Sequence, residues 1–262
     1  MSSYTVNDTA GATAVRATVA SLPLSFRAAD PGETAHVHAV AGTPGWTAAA
    51  LRAVDDGARG IVVVAPCVED TSALAEAAEA AGTAVVLDLR WESNPGLAGA
   101  EEAVRSTAGR AVMLDSLAVS AAGSDPGTVL TEHLAAVVRV TGSLDALRIL
   151  HLGPHGYTAA ARLANAAPAT LQGVLSNAVP AGVELHLHSD DGGVSVTVPE
   201  PSAAWPAEVR ATASQGELLL PTLYETAHRN SWRRLKDHLD AGTLPADLAG
   251  FARLTEQLTG PS

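Results

Sequence analysis

The feature that most constrains the fold is a regular alternation of short β-branched strands with alanine-rich helices between residues 35 and 117. The strands are nearly continuous apolar runs, as expected when helices cover both faces of a parallel sheet. The predicted strands are 35–41, 60–66, 83–89 and 110–117, and the predicted helices are 45–56, 69–81 and 96–107. This order predicts half of a doubly wound α/β domain.

The pattern changes after residue 121. A helix at 129–140 is followed by strand-like runs and a strong hairpin turn, Asp190-Asp-Gly-Gly193, and two helices close the chain. The predicted strands are 146–152, 157–164, 170–178, 183–189, 193–199 and 208–213, and the closing helices are 223–241 and 246–258. We therefore expect a Rossmann-like domain at 1–118 and, at 119–262, an open-faced antiparallel sheet with helices on one face.

Residues 1–33 give the weakest signal. The stretch 14–26 is interpreted as one short strand and a connector, and Asp30-Pro-Gly-Glu33 indicates a turn. This segment is too short for a first strand, a glycine turn and a helix of ordinary length. We expect the parallel sheet to be truncated there.

Charge and cysteine content exclude several classes of protein. The net charge of −12 argues against nucleic-acid or anionic-membrane binding, which needs clustered cations. Cys67 is the only cysteine, so no internal disulfide forms, and no apolar run approaches the length of a membrane span. The N-terminus has no signal-peptide pattern. These features predict a cytoplasmic protein.

Two strands and the helix between them carry a family resemblance. Gly60-Ile-Val-Val-Val-Ala-Pro66, the helix 69–81 and Gly82-Thr-Ala-Val-Val-Leu-Asp-Leu-Arg90 are similar to the Gfo/Idh/MocA oxidoreductases. The resemblance implies a Rossmann-like domain that binds NAD(P) and a C-terminal sheet that packs against a partner subunit. It also implies sugars, cyclitols or sugar acids as ligands.

The chain departs from this family at the expected cofactor and hydride-transfer positions. The family typically has Glu-Lys-Pro after the second of these strands, with a catalytic lysine, whereas this chain has Asp88-Leu89-Arg90. No G-x-G-x-x-G turn occurs, although such a turn lets the backbone approach the pyrophosphate. We interpret the first βα unit as deleted or eroded. The alternative is that the loop 41–45, through Gly42 and Gly45 with Pro66, binds phosphate instead.

The family's second catalytic element is a histidine on the helix at 129–140, often followed by an aspartate. With Gly142 aligned to the glycine that ends this helix, the histidine position falls on Glu132, and His133 is displaced by one residue. One residue on a helix is a rotation of about 100°. Glu132 or His133 with Asp88 or Arg90 remains an alternative acid–base set. Otherwise these are ordinary polar residues.

The other histidines and the cysteine are weaker candidates for functional residues. His36 with His38, and His186 with His188, place imidazoles on one face of a strand, but we expect structural roles and no metal site. His151 and His155 flank a predicted loop, so with Arg90 they are candidate substrate-binding residues. Cys67 follows a strand at a position where α/β sheets bind ligands, but a nucleophile would also need a base.

The sequence favours a relative of these oxidoreductases that has lost hydride transfer. We expect no resident cofactor, with NAD(P) as the alternative, and a role as a sugar-binding protein or partner subunit. The partner is a second copy or a catalytic paralogue, because an uncovered sheet would expose a large apolar patch. An active oxidoreductase, a lyase or an epimerase with a rearranged site remains the alternative, as does a purely structural dimer-forming domain.

Overall fold

The computed structural model describes residues 3–8, 13–203 and 205–259. The chain divides into two compact units, residues 1–89 with 227–256, and residues 90–226 with 257–262. In chain order the helices are α1 (Thr13–Ser21), α2 (Trp46–Asp55), α3 (Ser72–Ala81), α4 (Leu97–Thr107), α5 (Pro126–Thr141), α6 (Ala227–Ala241) and α7 (Asp247–Thr259). The strands are β1 (Tyr4–Asn7), β2 (Phe26–Ala28), β3 (Val37–Ala41), β4 (Gly60–Val64), β5 (Ala84–Asp88), β6 (Ala111–Ser120), β7 (Asp145–Gly153), β8 (Gly156–Arg162), β9 (Pro168–Leu175), β10 (Gly182–Ser189), β11 (Gly192–Pro199), β12 (Glu208–Ala213) and β13 (Gly216–Leu219).

The first unit is built on a parallel sheet. Among the described residues, five strands pair in the order β2-β1-β3-β4-β5. Val62 and Val86 pack with Trp232 of α6 in the core, and the alternate residues Val63 and Val85 are equally buried. Both faces of the strands are therefore covered, as their continuous apolar runs predicted.

The N-terminal segment corrects the sequence interpretation. Residues 13–21 form helix α1, and β1 and β2 are paired in parallel, so a first βαβ unit is present and not deleted. Val15, Thr18 and Val19 of α1 are buried. Their spacing of three and four residues is typical of one face of a helix, so the prediction of a short strand and a connector at 14–26 was wrong.

The second unit contains an eight-stranded sheet in the order β13-β12-β11-β10-β6-β9-β8-β7 among the described residues. Only the β6–β9 pair is parallel; the other described pairs are antiparallel. Helix α5 packs on β6, β8 and β9, and α4 packs against α5. Successive residues of a strand alternate between the face covered by helices and the opposite face, which is partly exposed. In β9, for example, Leu171 is buried and Gln172 is exposed. The expected open-faced sheet is confirmed.

Two assignments along the chain differ from expectation. The alternation of strands and helices predicts β6 in the first sheet, but β6 lies in the second sheet. There Ser116 and Ala118 are buried and Asp115 is partly exposed. This alternation is typical of a strand with one covered face. Helix α6, expected in the C-terminal domain, packs on β4 and β5 of the first unit. The division of the chain thus differs from a single boundary at residue 118.

The helices of the described segments are too short or too polar to cross a bilayer.

Candidate functional site

The strand order of the first unit reverses between β1 and β3, and open α/β sheets bind ligands outside the carboxyl ends of strands at such a point. A cavity of about 530 Å³ lies there, lined by residues that include Asn7 of β1, His38 of β3 and Gly45, Trp46 and Arg52 around α2. This is the first candidate site.

A neighbouring cavity of about 370 Å³ lies beside the end of β2 and is acidic. Asp8, Asp30, Glu33 and Asp56 contribute to its lining. Asp30 follows β2, the position from which an acid binds the ribose 2′-hydroxyl in dinucleotide-binding folds. Arg27 of β2 pairs with Glu33 at 2.5 Å and lies 3.8 Å from Asp30, so two of these carboxylates already face a guanidinium, the group that accommodates a 2′-phosphate in such folds. The β1–α1 turn, where a pyrophosphate would bind, includes residues 9–12, which lie outside the described residues.

Gly42, a predicted phosphate-binding residue, has a packing role. A Cβ at Gly42 would lie 2.3 Å from the Cα of Pro66, closer than side chains can approach backbone atoms. The Gly42 amide donates to the Val64 carbonyl at 2.8 Å, and the Cys67 amide donates to the Gly42 carbonyl at 2.7 Å. The loops after β3 and β4 therefore cross in direct contact, and Gly42 permits that crossing.

The amide groups at the start of α2 are bound by the chain itself. The Glu69 carboxylate accepts hydrogen bonds from the Gly45 amide, the Thr47 amide at 3.1 Å and the Thr47 hydroxyl at 2.7 Å. Burial alone would raise the pKa of Glu69, but these hydrogen bonds outweigh it, and the pKa is lowered. A carboxylate already occupies the anion position of this helix, so the loop 41–45 is not an open phosphate site.

Asp88, at the end of β5, is bound to helix α6. Its side chain is 1% exposed; one oxygen lies 2.7 Å from His228 Nδ1, and the other accepts from the Ser231 hydroxyl at 2.9 Å. His228 is separated from Asp88 by 140 residues, so no sequence spacing could pair them. The arrangement is that of an imidazole oriented by a buried carboxylate.

The only lysine of the chain lies elsewhere. Lys236 pairs with Asp240, and its Nζ is 5.5 Å from the ring of Tyr4, the first residue of β1. This is the amino end of the sheet, opposite the edge where a lysine of the family type would act. Lys236 is therefore not a displaced equivalent of that lysine.

In the second unit, His133 is a structural residue. It is completely buried between α5 and the sheet, with Nε2 2.7 Å from the Ser116 hydroxyl and Nδ1 2.9 Å from the Tyr157 hydroxyl. Burial lowers the pKa of His133 to about 3 and raises that of Tyr157. A neutral imidazole with both nitrogens bound holds the helix on the sheet.

Glu132, next to it on α5, belongs to a separate cluster around Arg90. Arg90 Nε donates to the fully buried Glu132 carboxylate at 3.0 Å, and Nη1 donates to the Ser120 hydroxyl at 3.0 Å. Glu200, just after β11, lies 3.7 Å from Nη1, and the guanidinium stacks 4.8 Å from the centre of the Trp91 ring. We call these five residues the Arg90 cluster.

Within the described part of the chain, the other predicted site histidines contact residues outside the Arg90 cluster or are exposed. His151 lies on the exposed edge strand β7, opposite Thr158, and His155 is exposed in the β7–β8 turn. His36 is bound to Thr5, whereas His186 and His188 stack on the open sheet face with ring centres 6.3 Å apart. Within the described ranges, no three histidine, cysteine, aspartate or glutamate side chains are grouped to hold a metal ion.

Comparison with protein-family models found no match, and neither did comparison with curated proteins. Solved structures are similar at low sequence identity. A mutant of KijD10, a 3-ketoreductase from Actinomadura kijaniata in complex with TDP-benzene and NADP, is 14% identical with a TM-score of 0.74 over 99% of this chain and 98% of that one. The UDP-N-acetylglucosamine 3-dehydrogenase GnnA from Acidithiobacillus ferrooxidans is 13% identical with a TM-score of 0.73 over 98% and 96%.

An oxidoreductase from Agrobacterium radiobacter, in complex with NAD+, L-tartaric acid and magnesium, is also similar, with 12% identity and a TM-score of 0.61 over 87% of this chain and 80% of that one. These similarities are similarities of fold. They agree with the resemblance to the Gfo/Idh/MocA oxidoreductases that the sequence shows. The chain therefore shares the fold of these structures: a Rossmann-like unit and a second unit with an open sheet.

Proposed function

We propose that this chain has lost NAD(P)-dependent hydride transfer and acts as a sugar-binding protein or partner subunit with an oxidoreductase fold. One observation carries the proposal: the three residues nearest the family's acid–base positions are bound to internal partners. Asp88 is bound to His228 and Ser231, Glu132 to Arg90, and His133 to Ser116 and Tyr157. A proton-transfer group must instead reach the substrate.

The cofactor requires a separate test, because the first βαβ unit is present and Asp30 suits the ribose of NAD. If a dinucleotide binds, Asp30 and the other acids beside β2 would hold its adenosine half, and the nicotinamide would supply hydride exchange. The Asp88-Leu89-Arg90 segment supplies no lysine at the point where the family has one. Binding without turnover is therefore compatible with the proposal.

Calorimetric titration with NADH and NADPH, combined with an assay of NADH oxidation and NAD+ reduction over a panel of sugars and ketosugars, tests the proposal. We expect no turnover with any substrate, whether or not NADH binds. A replacement of Asp30 by Ala identifies binding at the acidic cavity, with Glu76→Ala on the exposed face of α3 as the control. Sugar-dependent turnover by the wild-type protein would overturn the loss of hydride transfer.

A lyase or epimerase is the second candidate, and the Asp88–His228 pair favours it. His228 is one-fifth exposed while its Nδ1 lies beside a buried carboxylate, the geometry of an oriented general base. Solvent deuterium exchange into sugars would detect proton abstraction by the wild-type protein. Loss of this exchange in His228→Gln, with retention in His155→Gln, would support this candidate; absence of exchange in the wild-type protein would reject it.

A further inference from the structure

Among the buried polar atoms of the Arg90 cluster that lack hydrogen bonds within the described part of the chain, two lie on Trp91 and Glu200. They are the indole Nε1 of Trp91 and the Oε2 of Glu200. Trp91 is completely buried, and a buried donor or acceptor left without a partner destabilises the folded state. Such groups in a folded protein call for an explanation by a bound water or ligand.

The two atoms have complementary requirements. The indole N–H can only donate a hydrogen bond, and the carboxylate oxygen can only accept one. A hydroxyl group does both. The two residues lie beside the same guanidinium: the Trp91 ring stacks on Arg90, and the same Glu200 Oε2 forms a long ion pair with Arg90 Nη1 at 3.7 Å. Solvent reaches the exposed parts of Arg90 and Glu200, whereas Trp91 Nε1 and Glu200 Oε2 are themselves buried.

The charge of the cluster excludes one group of ligands. Arg90 carries the single positive charge, and Glu132 and Glu200 carry two negative charges. Glu132 is completely buried and fixes the guanidinium, so Arg90 is a positioning residue in this cluster rather than a receptor for anions. A carboxylate or phosphate placed here would meet a net negative charge, and like-charge contacts of this kind discriminate between ligands.

We propose that Trp91 Nε1 and the Glu200 carboxylate bind one hydroxyl group of an uncharged polyol, so that the cluster selects neutral sugars and cyclitols over sugar acids and sugar phosphates. This rests on the proposed function, in which the chain binds a sugar-like ligand. It narrows that ligand class to neutral molecules and assigns the selection to Trp91 and Glu200.

The test is calorimetric titration of the full chain with D-glucose, myo-inositol and D-glucuronate at neutral pH. We expect D-glucose or myo-inositol to bind at least about tenfold more tightly than D-glucuronate. Trp91→Phe keeps the aromatic ring and removes only the N–H, and it should weaken binding of the neutral ligand about tenfold. Glu200→Gln should also weaken neutral binding and reduce discrimination against D-glucuronate.

Matched controls separate this effect from a loss of folding. Trp205→Phe changes an exposed tryptophan, and Glu208→Gln changes an exposed acid on β12; neither should alter binding. If D-glucuronate bound as tightly as the neutral ligands or more tightly, the selection for neutral ligands would be overturned, but sugar binding would stand. The same conclusion would follow if both Trp91→Phe and Glu200→Gln bound the neutral ligand as the wild-type protein does. No binding of any of the three ligands at high millimolar concentration would overturn sugar binding as well.

Discussion

Burial in the second unit keeps His133 neutral, and the stability of the folded chain therefore depends on pH. Its pKa is about 3 in the folded chain, against about 6.5 for an unperturbed histidine. Between these values the unfolded chain binds more protons than the folded one, so stability rises with pH in this window and falls as pH drops from about 6.5 towards 3. Above about 6.5 this contribution is fully present.

We therefore expect His133→Gln to remove a pH dependence of up to about 1.4 kcal/mol per pH unit below pH 6.5. The variant should also be less stable at pH 7, because Ser116 and Tyr157 lose a fitted partner. Urea denaturation at a series of pH values measures both effects. His155→Gln, at an exposed turn, should follow the wild-type curve. Parallel curves for wild type and His133→Gln would contradict the assignment.

At the scale of a helix, Glu69 stabilises α2 from outside it. The carboxylate, which follows β4 in sequence, binds the free amides of the first turn, as an N-terminal capping residue does. Glu69→Ala should lower the free energy of unfolding by about 0.5–2 kcal/mol and speed amide exchange at Gly45 and Thr47. Chemical denaturation measures the change in the free energy of unfolding, and hydrogen exchange measures the change at the two amides.

Glu76→Ala, which removes an exposed carboxylate from α3, should leave both quantities close to wild type. If Glu69→Ala also left amide exchange at Gly45 and Thr47 unchanged, the cap would have no energetic role. These amides would then be open to an external anion in the wild-type protein, which phosphate titration of that protein would detect.

At the scale of the whole molecule, the open sheet face is the surface on which we expect association. Met113 and Val174 are more than one-third exposed there, and Leu117 and Val119 are partly exposed. We expect a dimer in sedimentation equilibrium at micromolar concentration, because this face combines apolar side chains with uncovered backbone strands.

Val174→Glu should convert that dimer to a monomer, since a charge in a desolvated interface has no partner. Val179→Glu, in the loop after β9, serves as the control and should leave the dimer intact. A wild-type monomer, or equal association of the two variants, would rule out this face as the interface.

Elements with local signals could be predicted from the amino-acid sequence. Continuous apolar runs predicted β3, β4 and β5, and their ends shifted by only one or two residues in the structure. The Asp190-Asp-Gly-Gly193 turn predicted the β10–β11 hairpin. Helix α1 also had a local signal, the spacing of Val15, Thr18 and Val19. The prediction of a truncated first unit did not take this spacing into account. Absence of the family's lysine and glycine turn was likewise readable from sequence.

Which polar groups have hydrogen-bond partners follows from packing between residues that are distant in the sequence. The Asp88–His228 contact joins residues 140 positions apart, and Glu69 reaches the start of α2 across two strand ends. His133 and Glu132 are adjacent, yet one binds the sheet and the other Arg90, because neighbouring positions on a helix point in different directions. Burial and pairing are properties of packed neighbours, so no pattern along the chain specifies which polar residue is satisfied and which is left for a ligand.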